Sequence, residues 1–140
     1  MVEKKVDKNI VFTIGKRRKA IARARFKPGK GIIKLNSKPI DKITNELVKL
    51  KIQEPLLVLG DEWKGYDVKI NATGGGVLGQ ADAARQALAR GFVEIFGDTA
   101  KEKFMSYDRN LLVYDPRRTE PHKPSRSSQG PRRHKQRSKR

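Results

Sequence analysis

The stretch YDVKINATGGGVLGQADAARQALARGFVEIF, residues 66–96, decides the fold. Its first seven residues alternate in hydropathy, and Val68, Ile70 and Ala72 on one side predict a half-buried strand. From about Gln80 to Phe96 the period becomes helical, and the many alanines favour a helix that lies close against a sheet. The apolar stripe of this helix comprises Ala84, Leu88, Gly91, Phe92, Ile95 and Phe96, and its polar side comprises Asp82, Gln86, Arg90 and Glu94.

Three further strands are predicted upstream of this stretch. Residues 10–14 (IVFTI) alternate, and residues 20–26 (AIARARF) place three alanines and Phe26 on one face, opposite Ile21, Arg23 and Arg25. A Lys-Pro-Gly-Lys turn at 27–30 leads into residues 31–35 (GIIKL), which we expect to close a hairpin with the second strand. The outer row of arginines suits contact with phosphates, and an ordinary solvated face is the alternative.

Between the third and fourth strands the apolar period is helical. Pro55 is expected to interrupt this helix before a second short apolar segment at 56–59. Trp63 is interpreted as a partly buried cover over the core, with stacking on a base as the alternative. The apolar positions of the first helical segment are Ile40, Ile43, Leu47 and Leu50.

The charge of the chain indicates a polyanionic partner. Among 140 residues, 33 Lys and Arg face 15 Asp and Glu, which gives a formal net charge of +18. Nucleic acid is the first candidate for such a partner and an anionic membrane surface the second. No apolar run is long enough to span a membrane, and the first residues lack a signal-peptide pattern, so we expect the protein to stay in the cytosol.

The last 25 residues, 116–140, differ in composition from the rest of the chain. They contain seven Arg, three Lys and one Glu, with four Pro, four Ser and no aliphatic or aromatic residue. Such a segment cannot bury enough apolar surface to order itself, and its extended length is roughly 80 Å. The sequence therefore predicts a globular domain over residues 1–115 and an extended basic tail over residues 116–140.

Two patterns in the domain suggest binding of an anion. Four consecutive cations, Lys16 to Lys19, follow the first strand, and glycines at 74, 75, 76 and 79 precede the long helix. A glycine turn at a helix start offers free backbone N–H groups to a phosphate. A strand–helix connection that simply requires positive φ explains the glycines equally well. The spacing matches neither a Walker A loop nor a dinucleotide fingerprint.

The sequence contains no convincing arrangement of catalytic residues. Both histidines, His122 and His134, lie in the tail, where nothing would hold a general base in place. There is no cysteine, and no spacing of His, Asp and Glu resembles a metal site. We therefore expect a protein that is not an enzyme and that needs no cofactor and no metal.

Three motifs in the same order resemble the small-subunit ribosomal protein nine family. They are GKRRKAIARA at 15–24, GGGVLGQA at 74–81 with the arginine-bearing helix after it, and SKR at 138–140. The segments VYDPRR (113–118) and EPHK (120–123) are similar to the archaeal and eukaryotic branch of that family. The resemblance extends over nearly the whole chain.

The resemblance implies an α/β (α+β) fold, with a four-stranded sheet and helices packed on one face, like the second domain of ribosomal protein S-five. It implies a structural constituent of the cytoplasmic small subunit that binds ribosomal RNA in the head, beside other head proteins. It also implies that the tail reaches the anticodon stem-loop of peptidyl-site tRNA through its tip, Ser138, Lys139 and Arg140. Neither a membrane contact nor a homo-oligomer is expected.

The residues expected to bind RNA come from the turn, the second strand, the glycine loop, the long helix and the tail. They are Lys16, Arg17, Arg18, Lys19, Arg23, Arg25, Gly74, Gly75, Gly76, Gly79, Gln80, Arg85, Arg117, Arg118, Lys123, Arg126, Arg132, Arg133, His134, Lys135 and Arg137. Two other functions remain alternatives, a free nucleic-acid-binding regulator and a phosphotransfer enzyme that uses the glycine loop. Sedimentation with the small subunit, binding to DNA and nucleotide turnover distinguish the three.

Overall fold

Five strands form one mixed sheet in the computed structural model, which describes residues 10–119. The strands lie in the order β1-β2-β5-β3-β4. The strands and helices are β1 (Val11–Arg17), β2 (Ala20–Pro28), β3 (Ile33–Leu35), β4 (Lys38–Pro39), α1 (Glu46–Leu59), β5 (Tyr66–Thr73), α2 (Val77–Phe96) and α3 (Asp98–Tyr107). Short 3₁₀ turns occupy Ile40–Lys42, Glu62–Gly65 and Arg109–Leu111.

All three helices pack on one face of the sheet, which confirms the predicted mixed α/β class and its one-sided helix layer. The alternation in β2 is as predicted, since its three alanines and Phe26 are buried while Arg23 and Arg25 are exposed. In β5 the buried residues are Val68, Ile70 and Ala72. The sheet has five strands rather than four because the two residues Lys38–Pro39 pair with the end of β3.

The expected hairpin between β2 and β3 is wrong. Strand β5 lies between them, antiparallel to β2 and parallel to β3. The loop after β2 is held by β5, because the Asp67 carboxylate accepts hydrogen bonds from the backbone N–H groups of Lys30 at 2.9 Å and Ile32 at 2.8 Å. These N–H groups hold the pKa of Asp67 below its ordinary value. The turn at 27–30 therefore leads across β5 instead of back along β2.

Helix α2 lies against β1 and β2 at unusually short range. A Cβ added to Gly15 would collide with the backbone of Ala83 and Ala87, and one added to Gly91 would collide with the ring of Phe26. The Phe26 ring also packs edge-on against Phe92, with ring centroids 5.3 Å apart. The close approach predicted from the small residues is confirmed, although α2 begins at Val77 and not near Gln80.

The buried face of helix α1 differs from the apolar face predicted from the sequence. Pro55 lies inside a continuous helix, and the residues predicted to face the core, Leu47 and Leu50, are 59% and 60% exposed. The buried residues are instead Val48, Ile52, Pro55, Leu56 and Leu59. Proline removes one backbone N–H, but core contacts on both sides of it keep the helix continuous. Trp63 is half-buried against the core, as predicted.

The free edge of β1 is covered by two side chains of α2. Gln86 was assigned to the polar outer side of the helix, yet it is only 4% exposed, and its Oε1 accepts a hydrogen bond from the Lys16 N–H at 2.8 Å. Arg90 donates from Nη1 to the Ile14 carbonyl oxygen at 3.0 Å. The helix is so close to the strand that its polar side chains reach the strand's backbone.

Candidate nucleic-acid interface

Three of the four consecutive cations at 16–19 are presented to solvent. Lys16 and Arg17 lie in β1, which continues through Gly15, so the turn itself is only Arg18 and Lys19 and not the four residues expected. Lys16, Arg18 and Lys19 are exposed, and Arg18 has a positive φ of 53°. Arg17 differs, because its side chain is only 22% exposed and is paired with Asp115 and, at 3.9 Å, with Asp82. Of the four sequence-predicted residues at 16–19, three are exposed and one, Arg17, is largely covered.

The start of the tail is held against the same turn. Asp115 pairs with Arg17 and also accepts hydrogen bonds from Arg117, from its backbone N–H at 2.9 Å and from Nη2 at 2.8 Å. Arg118 donates to the Arg18 carbonyl oxygen and lies over the ring of Tyr114, 5.3 Å from its centroid. The hydrogen bonds from Arg117, with Arg17 nearby, hold the pKa of Asp115 well below its ordinary value. We call residues 115–118 the tail root.

Arg85 lines the same pocket as Arg17 and Asp115, but its side chain is held in an ion-pair cluster. Its guanidinium is 2.6 Å from Glu54 and 3.5 Å from Asp108, and its side chain is 19% exposed. The Glu54 carboxylate also raises the pKa of Tyr107. The cluster ties α2 to α1 and to the residue that follows α3. These ion pairs give Arg85 a role in the fold that does not require contact with RNA.

The glycine turn lies beside the cationic turn. Gly74 and Gly75 have φ values of 75° and 63°, which confirms that the connection needs positive φ. A Cβ on Gly74 would also collide with the carbonyl oxygen of Lys19. Gly79 packs near Ala20, and the Gln80 side chain donates to the Gly74 carbonyl oxygen at 3.1 Å. Backbone conformation and packing therefore account for the two positive-φ glycines, and the exposed turn extends the surface formed by Lys16, Arg18 and Lys19.

The sheet face opposite the helices carries a set of exposed cations, of which the sequence pattern identified only some. Its side chains line up in rows across the strands, because residues paired in register point to the same face. One row runs Phe12–Arg25–Lys69–Lys34, and a second runs Ile14–Arg23–Asn71. We call this surface the open sheet face.

The sequence pattern identified Arg23 and Arg25 in these rows but not the other residues. Lys69 could have been predicted from the sequence, because alternation in β5 places it on the face opposite the buried Val68 and Ile70. Phe12 was not recognised as surface because an aromatic residue within an apolar strand suggests core. It is 67% exposed.

The remaining predicted positions lie outside the described residues. These are Lys123, Arg126, Arg132, Arg133, His134, Lys135, Arg137, Ser138, Lys139 and Arg140, together with His122. Within residues 10–119, no group of three or more His, Asp or Glu is placed to hold a metal ion. No helix in that same range has the length and apolar character needed to cross a membrane.

Comparison with known proteins identifies the family. The family model described as ribosomal protein S9/S16 matches residues 15–140. A small ribosomal subunit protein uS9 from Methanococcus maripaludis (strain C7) is 51% identical over 130 residues, which cover 92% of this chain and 97% of that protein. The protein of the same name from Methanococcus vannielii is 48% identical over the same shares of the two chains. The chain therefore belongs to the ribosomal protein S9/S16 family, and it is of the archaeal type.

Proposed function

We propose that this chain binds the RNA of the small ribosomal subunit through its cationic surfaces and places its tail at peptidyl-site tRNA. Family membership supports the coarser role, that of a structural protein of the cytoplasmic small subunit, which is the assembly named for its relatives. The single observation that carries the finer proposal is the position of the tail root. It contacts Arg17 and Arg18, so Arg117 and Arg118 lie beside the exposed cations of the domain.

The mechanism is neutralisation of phosphate charge. Each phosphate contacted by Lys or Arg releases counterions and adds about 0.7–0.9 to the slope of log affinity against log salt. Arginine adds bidentate hydrogen bonds that fix the orientation of the phosphate. The exposed cations at the turn supply such contacts without rearrangement, whereas Arg17 and Arg85 would first have to leave their carboxylate partners.

The division of the chain at residue 115 is part of the proposal. Leu111 is fully buried, and Leu112 packs against the core and accepts a hydrogen bond from Arg90 through its carbonyl oxygen. Residues 115–118 are then joined to the end of β1 and to the turn after it by the Arg17–Asp115 pair and by the hydrogen bond from Arg118 to the Arg18 carbonyl oxygen. The 22 residues from Thr119 to Arg140 would extend at most about 70–80 Å from this point. A fixed origin gives the tail a defined starting direction toward tRNA.

The test of the RNA role is sedimentation of the full chain with small subunits at moderate salt. We expect co-sedimentation of the wild type, and weaker retention when Arg18 and Lys19 are both changed to Gln. The matched control is a double change of Lys101 and Lys103 to Gln on α3, which we expect to leave retention unchanged. Recovery of the wild type near the top of the gradient, or with DNA, would refute the proposal.

The role of the tail tip is tested separately in assembled subunits. Removal of Ser138–Arg140 should leave subunit assembly intact and accelerate dissociation of tRNA from the peptidyl site, because two cations are lost. A variant with Ser138→Ala alone keeps both cations and serves as the control. Equal tRNA dissociation rates for the truncated and full-length subunits would contradict a tRNA contact by the tip.

A further inference from the structure

The open sheet face has a strong excess of positive charge. It presents Lys16, Arg23, Arg25, Lys27, Lys34 and Lys69, and no helix of the described residues covers it. Its one acid, Asp67, lies at the end of the face, beside Lys27 in register. The Asp67 carboxylate accepts hydrogen bonds from backbone N–H groups of the loop that follows β2. The face is therefore suited to a polyanion.

The cations at the centre of this face repel one another in the free protein. Arg25, Lys69 and Lys34 are direct neighbours on three adjacent strands, with no acid between them. Like charges placed opposite each other across strands destabilise a sheet. Phosphates lying along the row would remove this repulsion.

The same row ends in an exposed aromatic side chain. Phe12 is 67% exposed and its neighbour on the same face of β1, Ile14, is 47% exposed. The guanidinium carbon of Arg25 is 5.6 Å from the centre of the Phe12 ring. This separation is within the ~6 Å range of a cation–π contact, so Arg25 lies over the ring, and the 67% exposure of Phe12 leaves part of the ring open to another flat group.

We infer that the open sheet face binds a single-stranded segment of RNA, with one base stacked on Phe12 beside Ile14 and phosphates on the Arg25–Lys69–Lys34 row. Across four strands the row spans about 14 Å, given a strand spacing of about 4.8 Å. Flat sheets of this width bind two or three stacked bases in other RNA-binding folds. The inference rests on the proposed function, since it specifies how the domain contacts RNA.

Two physical points favour single-stranded RNA over other occupants. A protein partner would bury three adjacent cations, and lysine is depleted from the cores of protein interfaces. An RNA duplex presents phosphates and riboses, which would leave Phe12 and Ile14 against polar groups. Only an unstacked base matches the ring while its own backbone reaches the cations.

The first experiment measures binding of the full-length protein to a 12-nucleotide single-stranded RNA and to a blunt duplex of the same sequence. Loss of one stacked base predicts that Phe12→Leu weakens single-strand binding about tenfold, and leaves duplex binding unchanged. The control is Leu47→Ala, a similarly exposed apolar residue on α1, which should alter neither. Equal effects of Phe12→Leu on both RNAs, or no effect on either, would overturn the inference.

The phosphate row is tested by salt dependence. Lys69→Gln should lower the salt slope of single-strand binding by about 0.7, because one phosphate contact is lost. Lys101→Gln on α3 removes the same charge from a helix on the other side of the sheet and should leave the slope unchanged. An identical slope for the wild type and Lys69→Gln would remove the row from the binding site.

Ultraviolet cross-linking in assembled subunits separates this inference from the proposed function. We expect the peptide that contains Phe12 to carry a nucleotide. If the protein sediments with small subunits but this peptide is cross-linked to a protein, or to nothing, the open sheet face does not bind RNA and the ribosomal role still stands. If the protein does not sediment with subunits, both fail.

Discussion

Replacement of Gly15 by Ala tests the close approach on which the fold depends. The added Cβ would collide with the Ala83 carbonyl oxygen and the Ala87 backbone nitrogen. These are backbone atoms inside α2, so no side-chain rotation can relieve the clash. Helix α2 must move away from β1, or β1 must bend.

The loss of stability follows from the contacts that join β1 to α2. Overpacking of a buried site alone costs about 1–3 kcal/mol. Movement also strains two hydrogen bonds between β1 and α2, from Thr13 Oγ1 to Ala87 O at 2.7 Å and from the Lys16 N–H to Gln86 at 2.8 Å, each of which contributes about 1 kcal/mol net. We expect a loss of about 2–4 kcal/mol in the free energy of unfolding, or a fall of roughly 10 °C in Tm for a domain of this size.

The assay is thermal unfolding followed by circular dichroism, with Gly65→Ala as the control. Nothing lies within 4 Å of a Cβ added at Gly65, so that variant should unfold within about 1 kcal/mol of the wild type. A Gly15→Ala protein as stable as the Gly65→Ala protein would refute the reasoning. It would mean that α2 and β1 can separate at little cost.

Three further results are expected. Gln86→Leu leaves the partly buried Lys16 N–H without its acceptor and should lower the free energy of unfolding by about 1 kcal/mol, measured in urea. The pKa of Asp115 is lowered in the folded protein, so the ionised carboxylate stabilises the fold at pH values above its ordinary pKa of 3.8. This stabilisation is lost as the pH falls below 3.8. Asp115→Asn should abolish that pH dependence in NMR spectra of the tail root. Arg85→Gln should reduce stability with little change in RNA affinity, whereas Arg18→Gln should reduce RNA affinity with little change in stability, measured by denaturant unfolding and filter binding.

Local periodicity predicted the elements whose two faces differ strongly. From Ala20 to Phe26 every second residue of β2 is buried, and the residues between them, Ile21, Arg23 and Arg25, lie on the outer face. In α2 the small residues and Gly91 indicated close packing, and the Phe26 ring does lie directly against Gly91. These patterns hold because burial of one face dominates the energetics of each element.

Long-range contacts decided the features that periodicity missed. The neighbours of β3 depend on Asp67, which lies 35 residues along the chain from the Ile32 N–H that it binds. The buried face of α1 depends on where α2 and α3 lie, and leucine alone cannot distinguish Leu56, which is buried, from Leu57, which is 78% exposed. Gln86 is polar and was placed outside, but a polar side chain is stable inside when it has a hydrogen-bond partner.

The same limit applies to the candidate interface. Charge identified the cations, but pairing decided which of them remain available. Arg17 and Arg18 are adjacent in sequence, yet only Arg17 has carboxylates within reach. The open sheet face required the strand register, because Phe12, Arg25 and Lys69 come from three strands and meet only in the folded chain.

The coverage of the β1 edge by Gln86 and Arg90 bears on the life of the protein before it joins a particle. An uncovered strand edge is a template on which another chain can add a strand, and a newly made basic protein meets many chains before it meets its RNA. Occupying the Lys16 N–H and the Ile14 carbonyl oxygen with side chains of the same molecule withdraws two of the groups that such a template needs. The helix thus gives the unassembled protein some protection against aggregation.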